Sequence, residues 1–265
     1  SRPVAVAGGW TFSSLSSRSA VGMHSCGLTA SGTAYCWGMN DRGQIGDGTQ
    51  GTGANDHSAD RTSPVAVTGG LEFSSLSTGF SSTCGLTKAG TAYCWGSIGG
   101  ATPKLVGGNL TFASITTGYS HACALTTSNA AYCWGNNFAG KLGDGNVSNT
   151  EVANPVAVLG GLSFATIVAG DSHTCGLTAG GAAYCWGLNA YGQIGDGTSG
   201  NGYWNSPNNR ATPVAVTGGL AFTSLVAGIY HTCGLGTTGA AYCWGGNSFG
   251  QVGDDTTTNR LVPAP

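Results

Sequence analysis

Thirteen residues recur five times in this chain. CGLTASGTAYCWG at 26–38 returns as CGLTKAGTAYCWG (84–96), CALTTSNAAYCWG (123–135), CGLTAGGAAYCWG (175–187) and CGLGTTGAAYCWG (233–245). All ten cysteines lie in these copies, always with nine residues between the two of a pair. Each copy reads as a β-hairpin. Thr29 and Thr33 flank Ala30-Ser31-Gly32, a three-residue loop whose last position takes a left-handed backbone. Glycine stands there in four copies (Gly32, Gly90, Gly181, Gly239), and Asn129, the next most tolerant residue for positive φ, in the third. Such a loop sets Cys26 opposite Cys36 at a non-hydrogen-bonded pair, where side chains approach most closely. The expected bridges are Cys26–Cys36, Cys84–Cys94, Cys123–Cys133, Cys175–Cys185 and Cys233–Cys243. The same parity puts Cys26, Leu28, Ala34 and Cys36 on one face, and Tyr35 and Trp37 on the other. Both faces are apolar and need cover, which stacked copies supply and a lone hairpin does not.

A second block precedes each hairpin: PVAVAGGWTF at 3–12, with relatives starting at Pro64, Pro103, Pro155 and Pro213. Pro-Val-Ala-Val reads as a short strand that opens on proline, where a missing N–H does least harm. Gly-Gly breaks it, and an alternating strand follows, as in Phe164, Thr166 and Val168 against Ala165 and Ile167. With the hairpin this makes four short antiparallel strands per repeat, the size of a propeller blade. The expectation is an all-β chain: one β-propeller domain, 1–265, of five four-stranded antiparallel blades, with repeats near 3–63, 64–102, 103–154, 155–212 and 213–265.

Each Trp-Gly leads into a connection of variable length: 25, 6, 19, 25 and 17 residues before the next proline. Four of the five open on one phrase, MNDRGQIGDGT, NNFAGKLGDGN, LNAYGQIGDGT and GNSFGQVGDDT; the second, SIGGAT, lacks it. Loops leaving equivalent points of successive blades gather on one rim, where repeat architectures place recognition.

Composition limits the setting. With 9 basic and 11 acidic residues, only 8% charged, the chain lacks the basic surface that nucleic acid or an anionic membrane requires. No apolar run is long enough to span a membrane as a helix. Ten locally paired cysteines with none left over point to an oxidising compartment, extracellular or at the cell surface. Zinc would need short CxxC-type spacing, and a hairpin pair offers two sulfurs and no third ligand. Each bridge closes a loop worth about 2–3 kcal/mol in the chain-entropy treatment.

At GQIGDGT, AYCWG and HTCGLT the chain resembles the regulator of chromosome condensation family, five times over and along essentially its whole length. The resemblance implies that family's blade, usually seven to a propeller. Two departures stand out: cysteines occupy both paired strand positions, as in secreted bacterial relatives, and five repeats are present rather than seven. The nucleotide exchange known from a nuclear member depends on a wedge that no stretch here matches. A secreted relative that inhibits β-lactamases implies protein inhibition as a rival role.

Candidate residues follow. His24, His121, His173 and His231 stand two before the first cysteine of their repeats, with Ser82 in the second; a metal or proton site competes with a hydrogen bond to neighbouring backbone. Asp47, Asp144, Asp196 and Asp254 sit one per Gly-Asp turn, which suits turn stabilisation better than a calcium loop. The first long loop concentrates Asp56, His57 and Asp60, and the fourth carries Tyr203 and Trp204; these are the binding-loop candidates. Asn109 and Asn146 head glycosylation sequons. No catalytic set, metal site or cofactor motif stands out, so the chain is read as non-enzymatic. Two roles remain: a self-assembling structural module of a surface or filament, or a secreted inhibitor, adhesin or lectin acting through the long loops. The partner is accordingly another copy, an extracellular protein or a glycan. Segments 1–6 and 260–265 resemble the same strand, so one is expected to be spare and to pair with a neighbouring subunit.

Overall fold

In a computed structural model the described residues are 2–17, 23–53, 56–201 and 205–265. They form five four-stranded antiparallel sheets. The first runs β1 (Ser14–Ser17), β2 (His24–Leu28), β3 (Ala34–Gly38) and β4 (Arg61–Ala66). The second is β5 (Phe73–Thr78), β6 (Ser82–Thr87), β7 (Ala92–Gly96) and β8 (Gly100–Leu105), and the third β9 (Phe112–Thr117), β10 (His121–Thr126), β11 (Ala131–Asn136) and β12 (Glu151–Ala157). The fourth is β13 (Thr166–Ala169), β14 (His173–Leu177), β15 (Ala183–Gly187) and β16 (Arg210–Ala215). The fifth is β17 (Phe222–Ala227), β18 (His231–Gly236), β19 (Ala241–Gly245) and β20 (Arg260–Ala264). The chain divides into two compact units, 1–120 and 121–265. Among the described residues no helix is long and apolar enough to cross a membrane.

The middle two strands of every sheet are the recurrent hairpin. Cys26 lies opposite Cys36, with Leu28 opposite Ala34, and the register repeats in the other four. Asn129 takes φ 66° at the loop position where the other copies place glycine. All five bridges are closed, with Cα atoms 4.0–4.1 Å apart, and no free cysteine is present among the described residues.

The sheets run out of phase with the repeats as the sequence delimits them. The segments that start at Pro64, Pro103, Pro155 and Pro213 pair with the hairpin before them: Val65 lies opposite Cys36 and Val214 opposite Cys185. The two ends therefore differ. Segment 260–265 supplies β20 and pairs with β19, whereas residues 2–6 form no strand and leave Val4 90% exposed. The C-terminal copy is engaged within its own sheet rather than spare.

The cores lie between successive sheets. In the first unit, Cys26, Leu28, Ala34, Cys36 and Ile45 receive Phe73 and Trp95 of the next sheet. In the second unit, Cys123, Leu125, Cys133 and Leu142 receive Phe164 and Trp186, and Cys175, Leu177, Cys185 and Ile194 receive Phe222 and Trp244. Each fully buried phenylalanine contributes about 1.5–3 kcal/mol by apolar area.

Candidate functional site

The loops joining the third and fourth strands of the sheets have a constant base and a variable tip. The base is built on a buried asparagine. Asn40 accepts the Ile45 N–H at 3.0 Å and donates its amide to the Thr49 carbonyl at 2.9 Å. Asn137, Asn189 and Asn247 repeat the pattern. The aspartate follows: Asp47 accepts from the Thr49 N–H at 3.0 Å and from the Arg61 guanidinium Nε at 2.6 Å. Asp196 is held likewise by Thr198 and Arg210, and Asp254 by Thr256 and Arg260. Burial alone would raise the Asp47 and Asp196 carboxyls, but the hydrogen bonds and the arginine charge outweigh it and hold both below the usual range. The third loop lacks the arginine, and there Asp144 accepts instead from the Asn146 side-chain amide at 3.1 Å. The aspartates thus serve the turn.

In the first, third and fourth loops this base also fastens the sheet to the next. Gly48 donates to the Ala101 carbonyl, Gly145 to Ala211 and Gly197 to Leu261, at 2.9–3.0 Å. The histidines do the same from the other side. His24 Nε2 lies 2.8 Å from the Thr83 hydroxyl, His121 2.9 Å from Thr174 and His173 3.0 Å from Thr232. Their partner is a side chain of the neighbouring sheet rather than backbone. Burial lowers the His24 pKa from 6.5 to about 4. Among the described residues no group of three or more His, Cys, Asp or Glu is arranged to hold a metal.

The first loop's candidates do not converge on a common point. Asp56 accepts from the Thr52 and Ser58 N–H groups, which hold its carboxyl well below the usual range. Asp60 accepts the Asn40 N–H at 2.8 Å, a place taken by Asn209 and Asn259 in the fourth and fifth loops, so it belongs to the base. His57 stays exposed, with Nδ1 2.8 Å from Asp60. Tyr203 and Trp204 lie outside the described residues. Asn109 and Asn146 are exposed.

Sequence reading missed three features. The arginine clasp is legible as Arg-x-x-Pro at Arg61, Arg210 and Arg260, and the asparagine hub as the second residue of every loop phrase. Two aromatic pairs, Phe80–Tyr119 at 4.2 Å and Tyr191–Tyr230 at 4.8 Å, carry no comparable signal. Lys141 stands where the three other loops of this kind have Gln44, Gln193 and Gln251; burial lowers its pKa to about 8, against the opposing charge of Asp171.

Two family models, both of the Regulator of chromosome condensation (RCC1) repeat, match the chain. One covers 19–44, 112–141, 164–193 and 222–251, and the other 128–177 and 180–235. This chain belongs to the RCC1 repeat family. Neither model matches 45–111, which includes the reduced second loop. The ultraviolet-B receptor UVR8 of Arabidopsis thaliana is 32% identical over 126 residues, 47% of this chain and 27% of UVR8. Among solved structures, human WBSCR16 gives a TM-score of 0.74 at 17% identity, over 91% of this chain and 64% of that one. Prp20p of Saccharomyces cerevisiae gives 0.56 at 19%, over 95% and 76%. The receptor kinase CR4 ectodomain of Physcomitrella patens gives 0.55 at 28%, over 84% and 50%. The first two structures establish the RCC1 β-propeller fold alone. The chain spans well under two thirds of UVR8, so activities of whole relatives do not follow from the match.

Proposed function

We propose that this RCC1-repeat chain is a non-enzymatic protein-interaction module that works in an oxidising setting, outside the cell or at its surface, and contacts its partner through the variable loop tips. One observation carries the reading. The base of the first and fourth loops, as far as Gly51 and Gly200, is consumed in holding its own turn and the next sheet, which leaves the tips, 52–58 and 201–208, as the parts whose sequence the repeat does not set. His57 is exposed on the first of these, and Tyr203 and Trp204 belong to the second. Prp20p has binding properties to Gsp1p and histones, a precedent for a propeller that binds proteins, and CR4 carries its similar fold in an ectodomain, a precedent for the setting. Five closed bridges support the compartment. Asn109 and Asn146 are proposed as glycan acceptors in a secretory host.

The test replaces 52–58 and 201–208 with Gly-Ser linkers and compares capture from extracellular and cell-surface fractions. Retention of the specific protein partner falls about tenfold or more, with the melting temperature kept. Undiminished capture refutes the loop tips as the contact, and selective loss on a glycan array reassigns them to a lectin role. Expression in a reducing cytosol, compared with secretion, tests the compartment: the secreted form has no titratable thiols and melts higher.

A further inference from the structure

Two phenol rings meet where the fourth sheet packs on the fifth. Tyr191 stands in the loop that leaves β15, and Tyr230 in the turn between β17 and β18. Both lie within the unit 121–265. Their ring centroids are 4.8 Å apart, with the planes inclined by 58°. That separation brings the ring edges into van der Waals contact.

The backbone on each side is pinned. The Tyr191 N–H donates to the Gln193 Oε1 at 2.9 Å, and Gln193 is buried. The Tyr230 carbonyl accepts the Gly246 N–H at 2.7 Å. Gly246 lies beside both side chains: a Cβ there would sit 3.2 Å from the Tyr230 Cβ and 3.5 Å from the Tyr191 Cβ. The outer edges of both rings are exposed, so the side chains can turn against each other on a fixed base.

The pairing of two phenols sets this contact apart. Phe80 and Tyr119 stack at 4.2 Å but offer one phenol, and Tyr93, Tyr184 and Tyr242 each face a phenylalanine. Burial raises the Tyr230 pKa, helped by the neighbouring Tyr191 and Asp171, so its phenol keeps its proton at neutral pH.

We infer that Tyr191 and Tyr230 form a site of oxidative cross-linking, joined as dityrosine by hydrogen peroxide and a heme peroxidase. Each phenol gives up one electron and one proton. The two radicals form a carbon–carbon bond between ring carbons ortho to oxygen, and the hydrogens on those carbons move to the oxygens as aromaticity returns. The peroxide takes up the two electrons and two protons and leaves as two waters. Coupling within the chain outruns coupling between chains, because the second ring is already held in contact. The bond staples the fourth loop to the fifth sheet, as each disulfide staples two strands of one sheet. The site uses the oxidising setting proposed above and is independent of the loop tips.

Treating the intact, disulfide-bonded chain with a heme peroxidase and hydrogen peroxide tests it. Cleavage after Lys141, Arg210 and Arg260 leaves Tyr191 and Tyr230 in separate peptides, each with its own disulfide. The expected product is a monomeric chain in which these two peptides are joined, two hydrogens lighter than their sum. It shows dityrosine fluorescence and melts above the untreated protein. Tyr191→Phe and Tyr230→Phe each keep a ring in place and each abolish the link. Protein with 201–208 replaced forms the link as wild type does, so failure of the loop-tip reading leaves this result unchanged. Dityrosine found only between chains overturns the inference, as does a link that survives either substitution. So does the absence of a link under conditions that couple free tyrosine, or a link that leaves the melting temperature where it was.

Discussion

The cysteine faces of the fourth and fifth sheets have the same composition and opposite surroundings. Cys175, Leu177, Ala183 and Cys185 lie under Phe222 and Trp244, while Leu235 and Ala241, at the same register, are exposed. Local sequence does not distinguish them. The difference is the next sheet, which brings the aromatic pair, the hydroxyl for the histidine and the strand that accepts the loop's N–H. A repeat of this kind is half a core, and its stability belongs to the pair rather than to the unit.

Matched substitutions sharpen that contrast. The largest effect is expected from Leu177→Ala, which empties a filled interface and costs about 2–5 kcal/mol in urea unfolding, against under about 1 kcal/mol for Leu235→Ala in the monomer. Equal costs would show that the fifth face is covered.

Acid separates the histidines next. The folded state keeps His24 neutral down to about pH 4, whereas the unfolded chain binds a proton near 6.5. Its contribution is therefore complete above pH 6.5 and is lost as pH falls toward 4, a change of about 3 kcal/mol. His24→Gln should flatten that part of the stability profile. His231→Gln should flatten it less, since burial lowers that pKa without the full enclosure.

Glycine substitutions come third. Gly195 and Gly253 share a left-handed backbone, φ 78° and 82°, so alanine strains both by about 1 kcal/mol. Only Gly195→Ala also presses on Trp244, adding about 1–3 kcal/mol in thermal melts. The smallest effect is expected for the clasp: Arg210→Ala removes a half-exposed partner of Asp196 and costs about 1 kcal/mol, and Arg260→Ala about the same. A much larger loss at Arg260 would mean that β20 depends on its arginine for its place in the sheet.

The sequence alone was enough for the hairpins, their register, the cysteine partners and the family, because all of these are local. A three-residue loop ending in glycine or Asn129 sets which residues face each other, and period two then assigns every side chain to a face. The aspartates were legible as turn residues for the same reason, since Asp47 and Thr49 are two positions apart. Only the tertiary structure decided what lies between sheets. Proline strands join the preceding hairpin, so sheets and repeats fall out of phase. His24 finds a threonine 59 residues away rather than backbone. Asp60 serves Asn40 rather than a ligand. Identical AYCWG strands end buried or exposed according to what packs over them. Periodicity specifies that a face needs cover, but burial is a property of two surfaces, and a repeat written five times in the same letters does not say which copy has a neighbour.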